Sequence, residues 1–216
     1  RLVGSEMCIR DRLNDNMILG ISWGNTMYHT VKAVKTSKNI PITVVPIMGA
    51  ANVRTPERDS LDLSKELAYA YGGTYHYIYA PLFVNSEEVR DSLEQEPNIK
   101  GCLELAKNAD IILTSVGSIV YKSWKSYLST RDLYNLEKKG AIGHIGGHFY
   151  DMEGNEVITP FVNKMIGLGI EDIKNTENVI CVAGLEMKAE AILGAVRGGY
   201  INTLITDEEA AKAVLA

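Results

Sequence analysis

The sequence predicts an α/β fold: a three-layer, mostly parallel sheet with helices on both faces and a small hairpin insertion. Two observations predict it. Short apolar runs alternate with amphipathic stretches along the whole body of the chain, as strand–helix units do. At least one run, residues 110–116, is almost continuously apolar, which is how a central parallel strand buried on both faces reads.

The elements follow in order. Residues 17–22 read as a strand and 26–35 as the helix after it. Residues 40–46 form a β-branched run that ends in the loop Ile47-Met48-Gly49-Ala50. Leu63, Leu67, Ala70 and Tyr71 stand at helical spacing, and Gly72-Gly73 closes that helix. An aromatic-rich strand is expected over 74–79, ending at Ala80-Pro81. Asn85 with Glu88 reads as a capping box for the next helix, and Pro97 splits the helical region before 103–108. Residues 149–158, centred on Asp151-Met152-Glu153-Gly154-Asn155, read as the hairpin. A buried strand over 179–183, a helix over 186–197 and a last strand over 200–205 complete the sheet. Thr206 with Glu209 reads as a second capping box, a structural use of that acidic cluster rather than a catalytic one.

Composition narrows the function. The chain has 216 residues, 46% hydrophobic and 23% charged, as a globular domain with a real core has. A formal net charge of −5 argues against a broad nucleic-acid-binding face. Cys8, Cys102 and Cys181 are widely spaced, and no C-x-x-C pair exists for zinc or redox work. They read as thiols of a reducing cytoplasm, where the protein is expected. No apolar run approaches the roughly 20 residues needed to cross a membrane. Residues 1–12 carry no periodic apolar pattern and do not lead into the first strand. They are expected to be a non-native extension, with the functional domain spanning 13–216.

Ligands of open α/β sheets bind at the carboxyl ends of strands. The loop Trp23-Gly24-Asn25-Thr26 puts a glycine and two polar side chains at a helix start, where free N–H groups and positive potential favour an anion. A competing reading has Asn25 or Thr26 capping the helix. Lys188, in the first turn after Gly184-Leu185-Glu186-Met187, sits where a helix dipole disfavours a cation, unless a bound phosphate offsets it. Glu186 offers another offset. In Gly143-His144-Ile145-Gly146-Gly147-His148 the histidines are poorly spaced for chelation and lack an acidic or cysteine partner. His144 therefore reads as a pocket wall, and neither a metal nor another cofactor is expected. No nucleophile–base arrangement stands out, so binding is favoured over catalysis.

Ile21-Ser22-Trp23-Gly24-Asn25-Thr26-Met27, Pro46-Ile47-Met48-Gly49, Ala80-Pro81, Ala109-Asp110-Ile111, Gly140-Ala141-Ile142-Gly143, Val182-Ala183-Gly184 with Lys188, and Leu204-Ile205-Thr206-Asp207-Glu208 occur in one order. Together they resemble the sugar-binding effector domain of SorC/DeoR-type transcriptional regulators, from about residue 17 to the end. The resemblance implies a Rossmann-like fold related to sugar-phosphate isomerases and deaminases. It also implies a phosphorylated sugar as effector, a homo-oligomer, and DNA contact only through an N-terminal helix-turn-helix that this chain lacks. Carried over, it assigns Gly24, Asn25, Thr26 and Lys188 to the phosphate. It assigns Met48, Gly49, Asp59, Tyr79, Gly117, Ser118 and His144 to the sugar. The sequence departs from the family pattern at His144, where an acidic residue is usual, and at Ala50 and Leu185, where glycines are usual. The alternatives are an isomerase or deaminase of the same fold, with Asp59 or His144 as general base, and an inert scaffold.

Overall fold

The computed structural model describes residues 5–35, 39–51, 56–119, 124 and 127–216. Six parallel strands form the main sheet: β1 (Ile18–Ile21), β2 (Thr43–Pro46), β3 (Thr74–Tyr75), β4 (Ile111–Thr114), β8 (Asn178–Val182) and β9 (Thr203–Ile205). Their order is β3-β2-β1-β4-β8-β9. A second, antiparallel sheet holds β5 (Gly117–Ser118), β6 (Gly143–Ile145) and β7 (His148–Tyr150) in that order.

Alternation along the central strands builds two cores. Leu19, Ile21, Val44, Ile111, Leu113, Ile180 and Val182 point to one face and pack with α1 (Ser5–Arg10), α2 (Asn25–Ala33) and α3 (Ser60–Tyr71). Val45, Ile112, Val179 and Cys181 point to the other face, against α5 (Pro97–Lys107) and α8 (Ala189–Arg197). These are the three expected layers. The remaining helices are α4 (Glu87–Glu94), α6 (Thr130–Lys138), α7 (Ile170–Asn175) and α9 (Glu208–Leu215). Within the segment 1–12, residues 1–4 lie outside those described, while α1 buries Ile9 completely in the core it shares with α2 and α3.

Several boundaries differ from the sequence reading, each for a local reason. The strand expected over 74–79 pairs only at Thr74 and Tyr75. The next rung needs an N–H from residue 46, and Pro46 has none. The ladder of the hairpin lies one turn earlier than expected, between β6 and β7 across Gly146-Gly147. Both glycines have positive φ, 57° and 94°, as a tight two-residue turn demands. The Asp151–Asn155 turn closes with a single bridge, Tyr150 to Glu156. Ser86 rather than Asn85 caps α4, its hydroxyl accepting from Val89 N at 3.4 Å. Asp207 rather than Thr206 caps α9, its carboxylate accepting from Ala210 N at 2.8 Å, since an ionised acceptor bonds more strongly than a hydroxyl. The helix expected from residue 186 opens with a 3-10 turn, Glu186–Lys188, before α8 begins.

Candidate binding site

Strand order reverses between β1 and β4, so the chain leaves their carboxyl ends in opposite directions and opens a crevice. A cavity of about 300 Å³ lies there, lined by the segments that follow β1, β4 and β8. That is the lower end of the range for small-molecule sites. Thr114 donates from Oγ1 to Ser22 Oγ at 3.1 Å and ties the ends of β1 and β4 together beneath it.

In the loop after β1, neither Asn25 nor Thr26 acts as the cap of the helix. Gly24 is itself the N-cap of α2, with φ 121° and ψ 176°, and no side chain caps the helix. The first turn contains no acidic residue. Asn25 and Thr26 are therefore not spent on capping, and the first-turn N–H groups stay open to an acceptor in the cavity. Gly24 holds a conformation that disfavours any residue with a Cβ.

Lys188 enters the same cavity from the turn after β8. It ends the 3-10 turn after β8 and donates from Nζ to Val116 O at 3.0 Å. Burial pushes its ammonium below the ordinary lysine range, and among the described residues no carboxylate pairs with it. Leu185, which opens the turn, has φ 79° and ψ 132°, a backbone region suited to glycine. Its N–H is held by Asp207 Oδ2 at 2.8 Å. Glu186, the alternative offset for Lys188, is exposed and lies outside the lining.

His144 closes the third side. It pairs across the small sheet with Gly117, and its Nε2 is buried without a hydrogen-bond partner although part of the residue stays accessible. Burial, with the positive charge of Lys188 adding, depresses its imidazole to about 3, so it is neutral at physiological pH. Trp124 meets it edge-on at 5.2 Å and Phe149 lies at 5.5 Å. His148 faces elsewhere: Nδ1 lies 2.8 Å from Glu156 Oε1, and Nε2 lies 2.9 Å from Leu168 O.

Most residues singled out from the sequence converge. Gly24, Asn25, Thr26, Met48, Gly117, Ser118, His144 and Lys188 all line the cavity. Gly49, Asp59 and Tyr79 are not in the lining. Gly49 is pressed against backbone, where a Cβ would lie 2.6 Å from Pro81 O. Asp59 caps α3, accepting from Leu61 N at 3.1 Å, and its burial raises its carboxyl above the usual range. Tyr79 is 75% exposed at the end of a tyrosine stack, 5.8 Å from Tyr77. Ser115, Val116, Trp124 and Leu185 were not assigned to the site by sequence, yet they line it. Trp124, one of two tryptophans in the chain, carried no periodic signal that would have marked it.

Fold and site together define a ligand-binding α/β domain whose switch-point crevice holds a helix start without a side-chain cap and a lysine that no carboxylate pairs with among the described residues. The chain belongs to the family described as "Putative sugar-binding domain", whose model matches residues 4–216, the sugar-binding domain of SorC/DeoR-type regulators. It is 27% identical over 215 residues to the uncharacterized transcriptional regulator YjhU of Escherichia coli K12, covering 97% of this chain and 65% of the relative. It is 28% identical over 209 residues to the deoxyribonucleoside regulator of Bacillus subtilis 168, covering 96% and 67%. The chain thus spans about two thirds of the length of these two regulators. The full-length sorbitol operon regulator SorC of Klebsiella pneumoniae shares the fold, with a TM-score of 0.94 and 23% identity over 100% of this chain and 70% of that one. Among the described residues no helix is long and apolar enough to cross a membrane.

Proposed function

We propose that this domain binds a phosphorylated sugar and serves as the effector-sensing part of a cytoplasmic transcriptional regulator. One observation carries the reading: the uncapped start of α2 and the counter-ion-free Lys188 face the same cavity, which no carboxylate lines among the described residues. A phosphate placed between them receives backbone N–H groups, the helix dipole and a charge-assisted bond from Lys188. Met48, Gly117, Ser118 and His144 surround the carbon end of such a ligand.

Phosphate binding draws Lys188 away from Val116 and toward α2, linking the turn after β8 to the loops after β1 and β4. Closure of these loops biases an interface between copies of the chain, and through it a helix-turn-helix outside these residues alters its grip on DNA. The isomerase or deaminase alternative is weakened by Asp59, its acidic candidate, which caps α3 instead of facing the cavity.

Thermal unfolding against sugar phosphates and their unphosphorylated parents tests the reading. A ligand at about 100 times its Kd adds roughly 2.7 kcal/mol, and each kcal/mol moves Tm by about 2–4 °C for a domain of this size. Stabilisation should require the phosphate. Equal shifts with and without it, or no shift with any phosphosugar, contradict the proposal.

A further inference from the structure

At one end of the main sheet, β3 lacks the protection that edge strands usually carry. Thr74 N and His76 N donate to Ile42 O and Val44 O of the neighbouring strand, each at 2.9 Å. The amide and carbonyl of Tyr75, between them, therefore point to the open side. Such edges are normally blunted by charged side chains. Here residues 68–86 contain no Asp, Glu, Lys or Arg, the longest run without one in the sequence. The opposite edge differs: β9 is followed by Thr206 and then by Asp207, Glu208 and Glu209.

Aromatic rings stand where charge would be expected. Tyr69 of α3, Tyr75, Tyr77 and Tyr79 form a continuous stack, with successive centroids 5.6, 5.0 and 5.8 Å apart. Both ends of the stack are open, Tyr69 being 62% and Tyr79 75% exposed, and His76 is exposed as well. Beside the strand lies a hollow of about 410 Å³, lined by Tyr75, His76, Tyr77, Tyr79, Asn98 and Cys102. The edge thus offers a projecting ring next to a recess. Lys65 lies over the outer end of the stack, 5.8 Å from the Tyr69 ring.

A two-fold contact sets a patch against the same patch on its mate. Any charge near the axis then meets its own sign, so neutrality is a requirement there, which a contact with a different partner does not impose. A self-complementary patch must also carry projection and recess together. Tyrosine hydroxyls both donate and accept, so they pair with their own kind. We propose that the β3 edge is an interface between two copies of this chain. The two edge strands pair antiparallel about a two-fold axis, and the main sheet continues from one copy into the other. The tyrosine stack forms the aromatic centre of the contact, and Tyr79 of each copy enters the hollow of the other. The interface is independent of what the switch-point cavity binds.

Sedimentation of the chain over about 1–100 μM tests this, the range in which ordinary protein interfaces form. The chain should assemble to at least twice its monomer mass. Tyr79→Asp and His76→Asp each set like charges against one another across the axis. Each should weaken association at least about tenfold and halve the sedimenting mass. Leu215→Asp, on α9 and also at an exposed position, should leave the assembly unchanged. Hydrogen exchange on the unaltered chain gives a second measurement that needs no variant: the Tyr75 amide should be slow in the assembled protein and fast on dilution. A chain that stays monomeric over the whole range overturns the proposal and leaves the edge to a different partner. Assembly that survives both edge charges, or that Leu215→Asp disrupts equally, overturns it too. So does a Tyr75 amide that exchanges equally fast in the assembled and the dilute protein.

Discussion

The ring of His144 fills the space that a side chain on Gly117 would need: a Cβ there would lie 2.1 Å from His144 Nε2. The two residues are cross-strand partners between β5 and β6, so a side chain on Gly117 would stand on the same face of the small sheet as the His144 ring. Gly117→Ala should therefore push the imidazole off its position, cost about 1–3 kcal/mol as overpacking does, and abolish ligand-induced stabilisation. Urea unfolding with and without phosphosugar checks both effects. Unchanged stability and binding would show that the ring moves freely.

Leu185 holds φ 79°, a backbone conformation suited to glycine. Backbone strain of this kind costs about 1–3 kcal/mol, against roughly 0.5–1 kcal/mol of chain entropy for a glycine. Leu185→Gly should stabilise the protein by about 1 kcal/mol in chemical denaturation, whereas Leu185→Ala, which keeps the Cβ, should gain nothing. Equal effects of the two would place the origin in the leucine side chain rather than in the backbone.

His144 also sets an acid limit. Its imidazole falls to about 3 in the folded protein from about 6.5 in the unfolded chain. Between those values the unfolded state binds the extra proton. The contribution is thus complete above about 6.5 and is lost as pH falls, by at most about 1.4 kcal/mol per unit. His144→Gln should flatten this limb of the stability–pH curve between pH 6.5 and 4 relative to the parent. A parallel decline in both proteins would assign the loss to other groups.

Asp207 joins the site to the last helix. Its two oxygens accept from Ala210 N, at the start of α9, and from Leu185 N, each at 2.8 Å. These backbone bonds hold its carboxyl below the usual range. The stabilisation is present above the ordinary carboxylate value and is lost as pH falls through the depressed one. Asp207→Ala should cost about 1–2 kcal/mol at neutral pH, as loss of a helix cap does. The gap between variant and parent should narrow in acid, read from thermal unfolding at pH 7 and pH 3. A gap of the same size at both would mean the carboxylate charge is not what holds the turn.

The fold was largely legible because its core strands are buried on both faces. Runs such as Ile111–Thr114 cannot be amphipathic, and the helices between them show their apolar spacing plainly. What sequence missed were effects of neighbours. Pro46 shortens β3 from across the ladder, and Asp207 outcompetes Thr206 for a cap one residue away. Gly24 to Thr26 and Lys188 could be placed at the cavity for the same reason as the fold, since they sit directly at strand-to-helix junctions. Trp124 was not readable: its place in the wall comes from packing against Trp23, His144 and Phe149, residues distant in sequence. Asp59 and Tyr79 mark the opposite case, polar residues near site loops that structure uses for a helix cap and an exposed ring stack.

The central claim is that phosphate sits between α2 and Lys188. A crystal structure of the chain with the phosphosugar that stabilises it most tests this directly. The phosphate should lie within hydrogen-bond reach of the backbone N–H groups of Asn25 and Thr26 and of Lys188 Nζ, with Nζ drawn away from Val116 O. A ligand whose phosphate lies elsewhere, with the Lys188–Val116 bond intact at 3.0 Å, would contradict the account.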